Sequence, residues 1–133
     1  MAANITPIFP IAPFNGIATL TSATALTSRA AITGTTGLTQ LTPTSTNGTR
    51  IDAITVKAKA TSVASNVFIW LYNGTTSYLF DEFDVTAVTA GNTTDSFVLT
   101  KTYSTLVLPP TYQLFISETV QTDLTVFAFG GTY

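Results

Sequence analysis

Asp81, Glu82 and Asp84 form the densest group of ionisable side chains in the sequence. Closely spaced carboxylates are the raw material for an oxygen-ligand calcium site or for a general acid/base pair. Their spacing argues against both. In an extended strand successive side chains point to opposite faces, so Glu82 and Asp84 share one face and Asp81 takes the other. The reading that fits is a solvated strand face whose charge discourages edge-to-edge pairing. Serine and threonine hydroxyls are abundant, but the chain has 0 His and 0 Cys, so no imidazole can activate one and no thiolate is present. A lysine-activated serine would need a marked pair, and nothing in the spacing singles one out. These residues predict a protein that is not an enzyme, with no metal site and no cofactor.

Phe68, Trp70 and Tyr72 fall on one face of a single run, VFIWLY. Such a row can stack on sugar rings, or on nucleobases where basic residues flank it. Basic partners are missing here, and the stronger reading is that the row belongs to a sandwich core. Arg50 and Asp52 are two residues apart on a strand and can pair, a surface contact worth on the order of 0–1 kcal/mol. N-x-[ST] triplets begin at Asn4, Asn47, Asn73 and Asn92. With about a fifth of the chain Thr they are expected by chance, and asparagine belongs in turns in any case.

The elements that hold these residues are drawn from 133 residues, a length that suits one domain with a real core. The hydrophobic fraction of 45% and mean hydropathy of +0.37 oppose disorder. A net charge of -2 with 5 Lys+Arg gives no footprint for nucleic acid or for an anionic membrane. No apolar run reaches membrane-spanning length. Met1–Pro13 has no basic region and its apolar stretch is broken by prolines, unlike a secretory signal.

Residues 1–16 read as an extended, proline-rich N-terminal arm. Pro7, Pro10 and Pro13 recur every third residue, the period of polyproline II, and Ile5, Ile8, Ile11 and Phe14 form a second column. With Phe9 exposed as well, this segment needs a groove on its own domain or on a neighbour. The candidate interface is therefore Ile5, Pro7, Ile8, Phe9, Pro10, Ile11, Pro13 and Phe14. Residues 17–133 read as a single β domain. Leu20, Leu26, Ile32 and Leu38 recur every six residues, each followed by Thr, which fits strands and not helix. A β-solenoid shaft is one reading; two ordinary strands broken near Gly34 and Gly37 is the preferred one.

Arg50–Ala60 alternates, with Ile54, Val56, Ala58 and Ala60 on one face. Val67–Tyr72 is apolar on both faces, as a central strand is. Asn73-Gly74 then marks a hairpin back through Tyr78–Val85, with a loop longer than two residues. A strand follows around Phe97 and Leu99, Pro109-Pro110 forces a break, and Tyr112–Ser117 is expected to pair with Leu124–Phe129 across the polar turn Val120–Asp123. With no helical segment, the fold class is all-β, an antiparallel β-sandwich or jelly roll.

The run Gly48–Ile54, the VFIWLYNG hairpin, Val85–Thr89, the LPPTYQL strand at Leu108–Leu114 and the terminal AFGGTY together resemble small virion structural proteins of tailed bacteriophages, of the capsid decoration or cement type. The resemblance covers residues 48–133. It implies a β-rich subunit on the outer capsid surface, a homo-oligomer and most readily a trimer, whose partner is the major capsid protein and which stabilises contacts in the shell. It implies no catalytic residues, no nucleic acid and no membrane. A receptor- or glycan-binding module of a phage spike or fibre is the alternative.

Overall fold

The computed structural model describes residues 12–20 and 25–133. Ile5, Pro7, Ile8, Phe9, Pro10 and Ile11 of the expected arm lie outside them. Among the described residues there are nine strands and no helix: β1 (Ala12–Thr19), β2 (Ile32–Thr33), β3 (Thr39–Gln40), β4 (Thr49–Ala58), β5 (Ser65–Tyr72), β6 (Thr76–Val85), β7 (Val98–Leu108), β8 (Gln113–Glu118) and β9 (Leu124–Thr132). All pair antiparallel, in a four-stranded sheet ordered β1-β9-β4-β7 and a five-stranded sheet ordered β2-β6-β5-β8-β3. The fold is thus the antiparallel β-sandwich that the strand patterns predict.

Alternation builds the interior. Ile54, Val56 and Ala58 of β4 and Leu124, Val126 and Ala128 of β9 point inward from the four-stranded sheet. Val67 and Ile69 of β5, Phe83 and Val85 of β6, and Leu114 and Ile116 of β8 meet them from the other. Asp52 interrupts the β4 period. The ladders to both neighbours shift register between Ile51 and Ala53, so Ile51 and Ile54 are both buried although three residues apart.

The N-terminal boundary differs from the expected one. Ala12–Gly16 already belong to β1, with Pro13 opposite Gly131 and Phe14 opposite Gly130. Phe14 packs on the core, while Pro13 is exposed on an edge strand, where a missing N–H costs no ladder bond. The expected β8–β9 hairpin is also corrected. β8 pairs with β5 and β3, β9 with β1 and β4, and the Thr119–Asp123 connection crosses from one sheet to the other. Central β5 needs a partner on each side, and β8 supplies the second.

The six-residue repeat forms no shaft. Leu20 enters the main core, whereas Leu26, Ile32 and Leu38 pack on a second cluster of Phe68, Trp70 and Phe115 on the outside of the five-stranded sheet. The segment breaks at Gly34 (φ 78°) and Gly37 (φ 80°), as its sequence suggests, leaving β2 and β3 as two-residue strands. It acts as a strap. Leu26 N–H donates to Glu118 C=O at 2.8 Å, Gly34 N–H to Thr75 C=O at 2.7 Å and Leu41 N–H to Leu114 C=O at 2.9 Å.

Candidate functional site

The carboxylates diverge, as alternation requires. Asp81 points between the sheets, where Lys101 Nζ donates to Oδ1 at 2.9 Å and the Tyr103 hydroxyl to Oδ2 at 2.6 Å. Glu82 faces the strap and pairs with Arg29 at 2.6 Å, and Asp84 is exposed. No three metal-ligating side chains converge among the described residues. Burial alone would raise the Asp81 carboxyl, but the Tyr103, Lys101 and Glu82 N–H donors and the Lys101 charge outweigh it and hold the group below its ordinary 3.8. Burial first, and then this carboxylate, push the Tyr103 phenol up. Both groups are therefore fixed in their ordinary neutral-pH states. The trio ties β6 to β7 across one side of the sandwich and is structural.

The aromatic row is core, as preferred from sequence, but on the outward side of its sheet. Trp70 and Phe68 are 0% exposed beneath the strap. Trp70 Nε1–H donates to Ser117 Oγ at 2.8 Å, the Phe68 and Trp70 rings meet edge to face at 6.1 Å, and the Arg29 guanidinium lies 5.0 Å over Phe68. Phe68 and Trp70 leave no ring face for a sugar or a base, while Tyr72 is half-buried and meets Phe115 edge to face at 5.6 Å. Arg50 and Asp52 do pair, at 2.9 Å, on the β4 bulge.

Glu118, which sequence reasoning passed over, is fully buried at the end of β8. Its Oε2 accepts from Thr122 N–H at 3.1 Å and from Thr122 Oγ1–H at 3.0 Å, while Oε1 has no partner. Burial pushes its carboxyl above the ordinary 4.5, the two Thr122 bonds oppose this, and the Asp123 charge adds to it. A raised carboxylate destabilises the fold when ionised, so its cost is absent below 4.5 and grows as pH rises through and beyond that value. Glu118→Gln is therefore expected to be more stable than the parent at pH 7, by about 1 kcal/mol, with the gain vanishing near pH 4. Urea unfolding at the two pH values checks this; an equal difference at both would show that ionisation is not the cause.

What the protein offers to partners is set by its sheet edges and faces. A free edge invites another strand, and proteins blunt edges with short strands, bulges and inward-pointing charge. β2 and β3 are two residues each. β7 aims Lys101 inward and sets Tyr103–Thr105 opposite the single residue Asp52, a wide irregularity in its ladder. Among the described residues β1 carries only Pro13, near its start, as a guard. It runs eight residues without a charge, and its ladder to β9 has no register shift.

The outer face of the four-stranded sheet adjoins that edge. The register aligns Ile17, Phe127, Thr55 and Thr100 in one row and Asn15, Phe129, Ala53 and Thr102 in the next. A third row holds Thr19, Thr125, Lys57 and Val98. Ile17 is 64% exposed and Phe129 40%. The Phe127 and Phe129 rings lie parallel, 9° apart in plane and 6.3 Å between centroids. Lys57 is the one charge in these three rows, and it reaches aside to Ser96 Oγ at 2.8 Å. Of the candidate interface, Pro13 and Phe14 lie at the start of β1, beside this face. The signal for it stood in LTVFAF: a strand whose two faces are both apolar, yet with only one of them needed for the interior.

Edge and face define a class: an all-β sandwich with an aromatic outer face beside a long edge strand that has no charged residue. No family model, no curated protein and no solved structure matches the chain.

Proposed function

We propose that this chain is a structural virion protein of a tailed bacteriophage. It binds the outer capsid surface, stabilises contacts between major capsid proteins and associates with itself, as a trimer in the form the resemblance implies. The observation that carries the reading is the meeting of the least guarded long edge among the described residues, β1, with an aromatic, hydroxyl-rimmed face. Such a side suits durable contact with protein, because strand addition and apolar burial need no charge. The glycan-binding alternative, as read from the VFIWLY row, needs an accessible Trp70, and that ring is fully buried.

Ile17→Lys tests the reading. The side chain is mostly exposed, so stability should change by no more than about 0.5 kcal/mol, while a charge is placed beside the open edge. Cosedimentation with purified phage shells stripped of the protein is expected to show at least a tenfold loss of bound chain. Undiminished occupancy by the folded variant would remove this side from shell attachment.

A further inference from the structure

We infer that the outer face of the four-stranded sheet seats residues 5–11 of a second copy of this chain, laid as a polyproline II segment over Phe127, Phe129 and Ile17. The inference deepens the self-association in the proposed function and rests on that element of it.

The two surfaces match in chemistry. Polyproline II segments bind shallow aromatic surfaces, because their prolines and intervening apolar residues are preset in shape and lose little entropy on docking. The face supplies parallel Phe127 and Phe129 rings with Ile17 in register beside Phe127, rimmed by Thr19, Thr55 and Thr125. The segment supplies Pro7 and Pro10 with Ile5, Ile8 and Ile11, and no charged residue precedes Arg29 in the chain. The segment brings no charge, and the nearest charge in these rows, Lys57, is turned aside to Ser96 Oγ at 2.8 Å.

Docking on a face fits this segment better than adding to an edge. A strand joined to an edge bonds through alternate residues. Pro7 and Pro10 are three apart, so one of them must fall on the bonded side, where it has no N–H to give. The β1 edge is thereby left for the shell protein.

The chain's own face is the wrong one. β1 starts at Ala12, opposite Thr132, whereas Phe129 lies opposite Asn15 and Phe127 opposite Ile17. β1 thus enters the sheet three residues before the Phe129 row, and its direction at Ala12 points away from both rings. A proline restricts the residue before it to extended conformations, so the sequence at Pro10 and Pro13 disfavours a reversal there. Seven residues of polyproline II reach about 22 Å, close to the roughly 26 Å length of an eight-residue strand, so the segment spans a neighbour's face. Arm-to-face contact is head-to-tail, and closes into a ring when the rotation allows.

The chain has 0 Cys, so introduced cysteines report cleanly. Full-length Ile8→Cys chain is mixed with full-length Thr125→Cys chain under mild oxidation, without shells. A mixed disulfide dimer is expected at ten times or more the yield of dimer from either chain alone. Adding Phe127→Ser to the Thr125→Cys chain should abolish it, with circular dichroism confirming the fold. Mixed yield no greater than that of the single chains overturns the inference. So does a chain carrying both cysteines that closes only on itself, since the arm then lies on its own face. Shell binding plays no role in this assay, so its failure would leave shell attachment standing, and lost attachment would not explain it.

Discussion

Trp70→Ala is expected to destabilise the domain by about 3–5 kcal/mol, the range for removing a large aromatic from a packed site. Against the ~5–15 kcal/mol that holds most domains together, this brings the variant close to unfolding. The indole is fully buried although it points out of the sandwich, because the strap returns over it with Leu26, Ile32 and Leu38. Its loss takes away the surface those side chains press on, the edge contact with Phe68 and the hydrogen bond to the buried Ser117 hydroxyl. Trp70→Phe keeps a ring and loses only the indole donor and some of the volume, so it should cost about 1–2 kcal/mol. Urea unfolding followed by far-ultraviolet circular dichroism measures both. A Trp70→Ala variant within about 1 kcal/mol of the parent would mean that the ring is not sealed. It would restore the platform reading of VFIWLY.

How much of this was open to inspection in the sequence depends on what alternation can report. It gives the face of a residue, not which sheet the strand joins. VFIWLY reads as a central strand because both its faces are apolar, and β5 does lie in the middle of the five-stranded sheet. Asn73-Gly74 reads as a hairpin loop longer than two residues. In the structure Asn73 Oδ1 accepts from Thr75 N–H at 3.0 Å and Thr76 N–H at 2.9 Å, with Gly74 at φ 98°. By contrast, Leu114 and Ile116 of β8 and Leu124, Val126 and Ala128 of β9 show the same inward pattern whether the strands pair or face each other across the core. A short polar connection suits either arrangement, so the hairpin expectation had nothing to correct it. Asp81 is similar. Alternation separates it from Glu82, but its partners Lys101 and Tyr103 stand on the facing sheet, some 20 residues away. The apolar outer face was partly visible, as surplus hydrophobicity in LTVFAF. Its union with β1 depends on a pairing between the two ends of the described chain, which no local pattern encodes.

Gly130→Ala is the second large effect, and it arises from space and not from backbone freedom. A Cβ at Gly130 would sit 1.8 Å from the Arg50 carbonyl oxygen and 2.8 Å from its carbon. Both are main-chain atoms in the neighbouring β4, so no rotamer change relieves the overlap. The approach is close because Asp52 bulges out of β4, and the register against β9 shifts between Ile51 and Ala53, drawing the Arg50–Ile51 backbone against Gly130. An added methyl must push β4 and β9 apart or erase the bulge. Either outcome moves Ile51 or Ile54, both fully buried. The expected cost is about 3 kcal/mol or more. Gly74→Ala is the matched control: nothing lies within 4 Å of its Cβ position, but φ is 98°. That substitution carries only the backbone penalty, about 1–2 kcal/mol. Denaturant midpoints for the two variants separate the causes. A Gly130→Ala loss no greater than that of Gly74→Ala would mean that β4 and β9 do not approach as described. A larger one gives the terminal AFGGTY run a physical reason for its first glycine, as the seat of the bulge that turns both Ile51 and Ile54 into the core.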